Sequence, residues 1–254
     1  ILLCALTVNL NAQTEPLLLY KASQDAECKQ WVDSVFNKLS LKERVGQLFI
    51  HTIAPVENQA NLNNLKNAVS TNKVGGLLFS GGVLENQARL INEAQEQAKV
   101  PLMITFDGEW GLSMRLKENT PVYPRNMVLG CIRDDKLIYE YGQEVARQLR
   151  ELGVHVNFAP VADVNINPKN PVINTRSFGE IPQDVTDKVI SYSLGLESGG
   201  VVSVSKHFPG HGDTDVDSHH ALPVLSFSRA RLDSVELYPF KEAINAGVSG
   251  MMVG

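Results

Sequence analysis

A dense group of ionisable side chains lies in the segment KHFPGHGDTDVDSHH, residues 206–220. The ionisable residues of this segment are Lys206, His207, His211, Asp213, Asp215, Asp217, His219 and His220. Lysine, histidine and aspartate bind hydroxyl groups, transfer protons or hold metals, so the segment is a candidate site. It begins at the end of an apolar run at 201–208, and this position favours a functional loop over an ordinary polar surface.

Metal binding is one chemistry open to this segment, but the spacing argues against it. His207 and His211 are four residues apart, yet the Pro-Gly pair between them opposes the helix that would place both rings on one face. The aspartates imitate the start of an EF-hand loop, but Ser218 stands where that loop needs glycine and Val224 where it needs glutamate. We expect no metal and no cofactor.

Acid/base chemistry suits the segment better. Asp217 and His219 are two residues apart, so their side chains point the same way in an extended loop. A carboxylate beside a histidine orients the ring and stabilises the imidazolium that protonates a leaving group. The sequence therefore predicts Asp217 and His219 as an acid/base pair. For His211, inside a Pro-Gly-His-Gly turn, a bracing role stays open.

Six short apolar runs alternate with longer amphipathic stretches from residue 28 onward. The runs predict strands at 45–51, 74–80, 101–107, 154–163, 201–208 and 249–254. Apolar residues at helical spacing predict helices at 84–98, 135–153 and 184–198. Ser40 and Glu43 are spaced as a capping box, and Gly153 is placed as a helix stop.

This alternation predicts an α/β fold with a parallel sheet buried on both faces, and a TIM (β/α)8 barrel is its closed form. An open doubly wound sheet is the rival, but no G-x-G-x-x-G phosphate turn occurs in the sequence. Polar residues lie at the carboxyl ends of several predicted strands, at the edge where a barrel builds its chemistry. These residues are Asp107, Asp163, Lys206 and His207. Because the last residues, 249–254, form the sixth apolar run, we expect a barrel truncated after about the sixth strand.

The first residues, ILLCALTVNLNAQ, pair a short apolar run with small and polar residues. This pattern predicts a partial signal peptide at 1–12, an extension at 13–30 and the barrel domain at 31–254. We expect a secreted or periplasmic protein; whether it carries a lipid anchor at Cys4 stays open, as does an apolar first strand or helix instead of a signal. No later apolar stretch reaches the roughly 20 residues needed to span a bilayer.

The net charge of −5 is modest and no basic stripe occurs, so nucleic acid is not an expected partner. A neutral or an acidic substrate is compatible with this modest charge.

The segment KHFPGHGDTDVDSH resembles the signature of glycoside hydrolase family 3, in particular its NagZ-like β-N-acetylglucosaminidase branch. Three further segments are similar to that family: ITFDGEWGLSMRL at 104–116, NFAPVADVNINPKNPVINTRSFGE at 157–180 and LYPFKEAINAGVSGMMV at 237–253. The resemblance covers the chain from about Trp31 onward.

The resemblance implies a retaining glycoside hydrolase that removes terminal, non-reducing β-linked N-acetylglucosamine, with cell-wall fragments as the natural source. Asp217 and His219 would be the acid/base dyad. The sugar-binding residues of the −1 subsite would be Asp107, Arg176, Lys206 and His207. The family's nucleophile, an aspartate after the seventh strand, would lie beyond Gly254, so we expect the 254 residues alone to be inactive.

Several alternatives stay open. Asp107 and Arg176 could instead form a structural ion pair, and we expect Asp163 to be structural. Trp110 stands where many relatives have glycine, and could form an aromatic wall or pack under the loop. A β-glucosidase of the same family, a noncatalytic carbohydrate-binding barrel, phosphorolysis instead of hydrolysis, and a further C-terminal domain also remain possible.

Overall fold

The computed structural model describes residues 24–56, 58–116 and 118–254. The predicted signal segment 1–12 and residues 13–23 of the predicted extension lie outside the described residues. The strands are β1 (Ile50–Ile53), β2 (Gly76–Phe79), β3 (Met103–Phe106), β4 (Val156–Asn157), β5 (Val202–Phe208) and β6 (Gly250–Val253). The α-helices are α1 (Ala26–Phe36), α2 (Leu41–Gly46), α3 (Gln59–Lys66), α4 (Leu84–Gln97), α5 (Asn126–Leu129), α6 (Asp135–Glu151), α7 (Pro182–Ser198), α8 (Arg229–Ser234) and α9 (Tyr238–Asn245).

The six strands form one parallel sheet in the order β1-β2-β3-β4-β5-β6. Each strand therefore lies beside its neighbours in the chain, as in a (β/α)8 barrel. A doubly wound sheet would instead reverse its strand order at a switch point. The predicted α/β class with a parallel sheet is confirmed by this topology, which has the strand order of a barrel, and the doubly wound alternative is excluded for the described strands.

The core lies between the sheet and its covering helices. Leu77, Ile104 and Phe106 on the strands are fully buried, as are Val145 and Leu149 on α6. Helices α6 and α7 pack closely, because Gly142 and Gly195 face each other and a Cβ on either glycine would meet backbone of the opposite helix. The fold therefore holds the strand ends on a rigid support.

The predicted helices are confirmed within two residues at each end. Helix α6 stops where Gly153 adopts a φ of +80°, a conformation that glycine adopts without steric cost. The amide of Val154 then donates to the carbonyl of Leu149, at 2.9 Å, and satisfies an end carbonyl of the helix. Helix α1 spans the predicted domain boundary at residue 31.

The predicted first strand at 45–51 is wrong in its limits. Ser40 and Glu43 form a capping box, with the Ser40 amide 2.8 Å from Glu43 Oε2, and the helix that they start runs to Gly46. The strand begins only at Ile50, which is in register with Gly76 of β2. An apolar run alone could not separate the helix end from the strand start.

The predicted strand at 154–163 is regular only over Val156–Asn157. Pro160 has no amide hydrogen to give to a ladder, so regular pairing cannot continue through it. The backbone nevertheless stays beside β5, since the Lys206 amide donates to the Pro160 carbonyl at 3.0 Å and the Ala162 amide to the Lys206 carbonyl at 2.7 Å. Among the residues that the structure describes, no helix has the length and apolar character needed to cross a membrane.

Candidate active site

Seven charged or ionisable side chains meet at the carboxyl ends of β3, β4 and β5. We call this group the ion-pair cluster; its members are Asp107, Glu109, Arg115, Asp163, Arg176, Lys206 and His207. Parallel strands end at one edge of the sheet, so residues far apart in sequence converge there. All four residues predicted to bind the sugar, Asp107, Arg176, Lys206 and His207, belong to the cluster.

Lys206 is the centre of the cluster and is almost fully buried, with 3% of its side chain exposed. Its Nζ lies 2.6 Å from Asp107 Oδ1 and 2.8 Å from Glu109 Oε1. A buried ammonium requires such anionic partners, because an unpaired buried charge is costly. The two carboxylates therefore fix the position of Lys206.

Neither Glu109 nor Arg115 was predicted as a site residue, although both stand in the segment ITFDGEWGLSMRL. The Glu109 side chain is fully buried. Arg176 Nη2 lies 2.7 Å from Glu109 Oε1, and Arg176 Nε lies 3.0 Å from Oε2. This two-point contact orients the guanidinium plane of Arg176. Arg176 therefore pairs directly with Glu109 and not with Asp107, whose ion-pair partners are Lys206 and Arg115.

Asp107 accepts from cations at both carboxylate oxygens, Lys206 at Oδ1 and Arg115 at Oδ2. Burial raises the pKa of Asp107, but the charges of Lys206 and Arg115 outweigh burial and hold the pKa below the ordinary 3.8. Burial of Glu109 is likewise outweighed by Arg176 and Lys206, which hold its pKa below 4.5. Both groups are carboxylates at neutral pH.

Asp163 is fully buried and fixes the chain after β5. Its Oδ2 lies 2.6 Å from His207 Nδ1, and its Oδ1 accepts from the His211 amide at 2.6 Å. Arg176 Nη2 lies 3.2 Å from His207 Nε2. Because the guanidinium can only donate, His207 accepts at Nε2 and donates from Nδ1, as a neutral ring.

Exposure divides the cluster into two layers. Asp107, Arg176 and His207 have between 18% and 21% of their side chains exposed. Arg115 is 35% exposed, whereas Glu109 and Asp163 are fully buried and Lys206 is almost fully buried. The partly exposed residues can reach a ligand directly, whereas the buried carboxylates act through the residues that they hold.

The predicted dyad exists as a hydrogen-bonded pair. His219 Nδ1 lies 2.8 Å from Asp217 Oδ1, and the same oxygen accepts from the His219 amide at 2.9 Å. These two hydrogen bonds from His219, the backbone one first, lower the pKa of Asp217. The His219 ring is 80% exposed. Among the described residues, no hydrogen bond or ion pair joins the dyad to the ion-pair cluster.

His211 braces the turn that starts this loop. Its ring is buried, its Nδ1 lies 2.6 Å from Thr214 Oγ1, and its carbonyl accepts from Asn170 Nδ2 at 2.7 Å. Gly210 adopts a φ of +126°, and a Cβ on Gly212 would overlap the Val164 carbonyl. The glycines of the Pro-Gly-His-Gly turn are therefore required by the backbone.

Metal ligation has no ready site in the part of the chain that the structure describes, since no three His, Cys, Asp or Glu side chains gather around a common point. In the cluster, His207 is hydrogen-bonded to Asp163 and Arg176, and Asp163 is also hydrogen-bonded to the His211 amide. The charges of the cluster are balanced by its own side chains instead.

Comparison with known proteins identifies what the chain is similar to. Residues 40–254 match the Glycosyl hydrolase family 3 N terminal domain. Beta-hexosaminidase A of Pseudoalteromonas piscicida is 36% identical over 201 residues, which is 74% of this chain and 34% of that protein. A beta-N-acetylglucosaminidase/beta-glucosidase of Cellulomonas fimi is 30% identical over 232 residues, 91% of this chain and 40% of that protein.

Solved structures agree with these sequence matches. A glycoside hydrolase family 3 beta-N-acetylglucosaminidase from Paenibacillus sp. superimposes with a TM-score of 0.79 at 39% identity, covering 85% of this chain and 42% of that one. The chain spans between 34% and 54% of the length of the first curated relatives that it matches.

Proposed function

Because the chain belongs to glycoside hydrolase family 3, we propose that it supplies the sugar-binding site and the acid/base of a retaining β-N-acetylglucosaminidase. The observation that carries this proposal is the convergence of Asp107, Arg176, Lys206 and His207 into one partly exposed cluster. These four residues come from three separate segments of the chain, since Lys206 and His207 are neighbours on β5, and each was predicted to bind the sugar.

The cluster suits a hydroxyl-rich ring. Asp107 and Arg176 each offer a charged group at the surface of the cluster, where they accept from and donate to sugar hydroxyls. Their charges are already balanced by buried partners, so binding a neutral sugar leaves no unpaired ion. This arrangement positions the sugar in the −1 subsite, and its polar groups are fixed before the substrate arrives.

The Asp217–His219 pair suits proton transfer to the leaving group. In the protonated state His219 donates a proton to the glycosidic oxygen as the bond breaks, and the neutral ring then accepts a proton from the attacking water. Asp217, hydrogen-bonded to Nδ1, stabilises the charged ring. Because a neutral histidine repels an anion less than a carboxylate would, phosphate is an alternative acceptor to water.

The nucleophile has no candidate among the carboxylates of the cluster. Asp107 and Glu109 are each held by two cations, and Glu109 is inaccessible to solvent. Asp213 is paired with Arg231 at 3.2 Å and lies on the same loop as His219, whereas a retaining enzyme needs its nucleophile about 5 Å from the acid/base across the scissile bond. We place the nucleophile in a part of the full-length protein outside these residues.

The substrate class follows the named relatives, which are β-hexosaminidases, and cell-wall fragments are the proposed natural source. Export to the periplasm or the medium is supported by the apolar pattern of residues 1–12. A β-glucosidase is the second candidate, because the Cellulomonas fimi relative is named for both activities.

The test is an assay of the full-length gene product on aryl β-N-acetylglucosaminide and aryl β-glucoside. We expect a higher kcat/KM on the N-acetylglucosaminide, with retention of the anomeric configuration in the product. A higher kcat/KM on the glucoside would favour the second candidate. If neither substrate is turned over, a noncatalytic carbohydrate-binding barrel becomes the favoured function. Repeating the assay with added phosphate tests for phosphorolysis, which would release a sugar phosphate.

A further inference from the structure

Trp110 and Arg125 form a cation–π pair beside the ion-pair cluster. The Arg125 Cζ lies 4.8 Å from the centroid of the Trp110 ring, within the roughly 6 Å over which such pairs attract. Trp110 is half-buried and Arg125 is exposed. The guanidinium of Arg125 thus lies over the indole ring, and the Arg125 side chain is exposed to solvent.

The pair lies at the rim of the candidate active site. Trp110 directly follows the buried glutamate of the cluster in sequence. Arg125 Nη1 donates to Thr175 Oγ1 at 3.3 Å, and Asn126 Nδ2 donates to the Arg176 carbonyl at 2.7 Å. Both segments that carry the pair are therefore tied to residues of the cluster, on the side of Arg176.

Charge distinguishes the two arginines at this rim. The guanidinium of Arg176 is neutralised by Glu109. Among the described residues no carboxylate pairs with Arg125, whose contacts are the Thr175 hydroxyl and the Trp110 ring. A guanidinium carries several N–H donors in a planar fork that matches a carboxylate. Arg125 therefore keeps donors and a full positive charge available.

An enzyme that removes a terminal sugar takes that sugar into the −1 site, so the rest of the substrate lies toward the rim. Resting on the function proposed above, we propose that Trp110 and Arg125 form a subsite that recognises a carboxylate on the leaving part of the substrate. The guanidinium binds the carboxylate with paired N–H donors, and the indole holds the guanidinium in place. The substrate class is thus a β-N-acetylglucosaminide with an anionic aglycone.

The experiment compares two aryl β-N-acetylglucosaminides on the full-length protein, one with a carboxylate on the aryl ring and one with the matching methyl ester. The readout is the ratio of their kcat/KM values at low ionic strength. We expect Arg125→Gln to lower the carboxylate-to-ester ratio by about tenfold, mainly through KM. Arg125→Lys keeps the positive charge but loses the paired N–H donors, so it should lower the ratio less than Arg125→Gln does. Trp110→Leu should also lower the ratio, because the guanidinium loses the ring that holds it in place.

The control is Arg150→Gln, which removes an exposed arginine from the last turn of α6, at the opposite end of that helix from the strand carboxyl ends. It should leave the ratio unchanged. The proposal is overturned if Arg125→Gln leaves the ratio within twofold of wild type, or if Arg150→Gln lowers it equally. Failure of the wild-type protein to cleave either substrate would instead refute the proposed function itself.

Discussion

Glu109 and Lys206 form an ion pair, with 2.8 Å between Oε1 and Nζ, where 0% of one side chain and 3% of the other are exposed. Glu109 also holds Arg176, so one buried carboxylate fixes two residues of the proposed sugar site. The cost of burying these charges is offset only while all partners are present. Glu109 is therefore a positioning residue whose removal should affect stability and binding together.

Replacing Glu109 with Gln tests this role. The change removes the buried negative charge that neutralises Lys206 and Arg176. We therefore expect the free energy of unfolding to fall by about 3–5 kcal/mol. Urea denaturation followed by circular dichroism measures it. Glu140→Gln is the matched control, because it breaks an exposed pair with Lys136 and should change stability little. Equal effects of the two substitutions would contradict the buried role of Glu109.

Acid should destabilise the protein through the same cluster. Asp107 and Glu109 have pKa values lowered from 3.8 and 4.5, so they stabilise the fold above those ordinary values. This contribution is lost as the pH falls through the lowered pKa values. We expect the free energy of unfolding to decline below about pH 4.5, and less steeply in Glu109→Gln, which lacks one of the two groups. An identical decline in both proteins would show that Glu109 does not contribute.

Sequence patterns predicted the six strands and the main helices because amphipathic and apolar periodicities are local. They misplaced β1, since the apolar run from Val45 to His51 continues across the end of a capped helix. Five residues of the cluster were singled out from the sequence, but Arg115 and Glu109 were not. Glu109 is the partner of Arg176, which is 67 residues away. The pairing of Glu109 with Arg176 depends on how the strand ends meet in space, so a local sequence pattern cannot predict it.

Asp163 should contribute to stability and to substrate binding through the hydrogen bonds that it accepts. Both of its oxygens receive N–H donors, from His207 and from the His211 amide. Asp163→Asn turns an NH2 group toward one of these donors, and we expect a loss of about 1–3 kcal/mol of stability together with a raised KM. Thermal unfolding and steady-state kinetics on the aryl N-acetylglucosaminide measure both. Asp184→Asn, an exposed aspartate in the first turn of α7, is the control.

Asp217 should support His219 without contributing much to stability, because the pair lies on an exposed loop. We expect Asp217→Asn to lower kcat/KM by about tenfold on substrates with poor leaving groups, since the charged ring loses its carboxylate partner. The melting temperature should stay unchanged. A large fall in melting temperature would instead assign Asp217 to the structure of the loop.

The leaving-group dependence of His219→Ala tests the acid/base assignment most directly. In the full-length protein, kcat/KM is measured for a series of aryl β-N-acetylglucosaminides whose phenols differ in pKa, with His220→Ala, the adjacent exposed histidine, as the control. If His219 protonates the glycosidic oxygen, its loss slows substrates with poor leaving groups far more than those with good ones, and His220→Ala keeps the wild-type slope. A uniform loss across the series would contradict the assignment and give His219 a binding role instead.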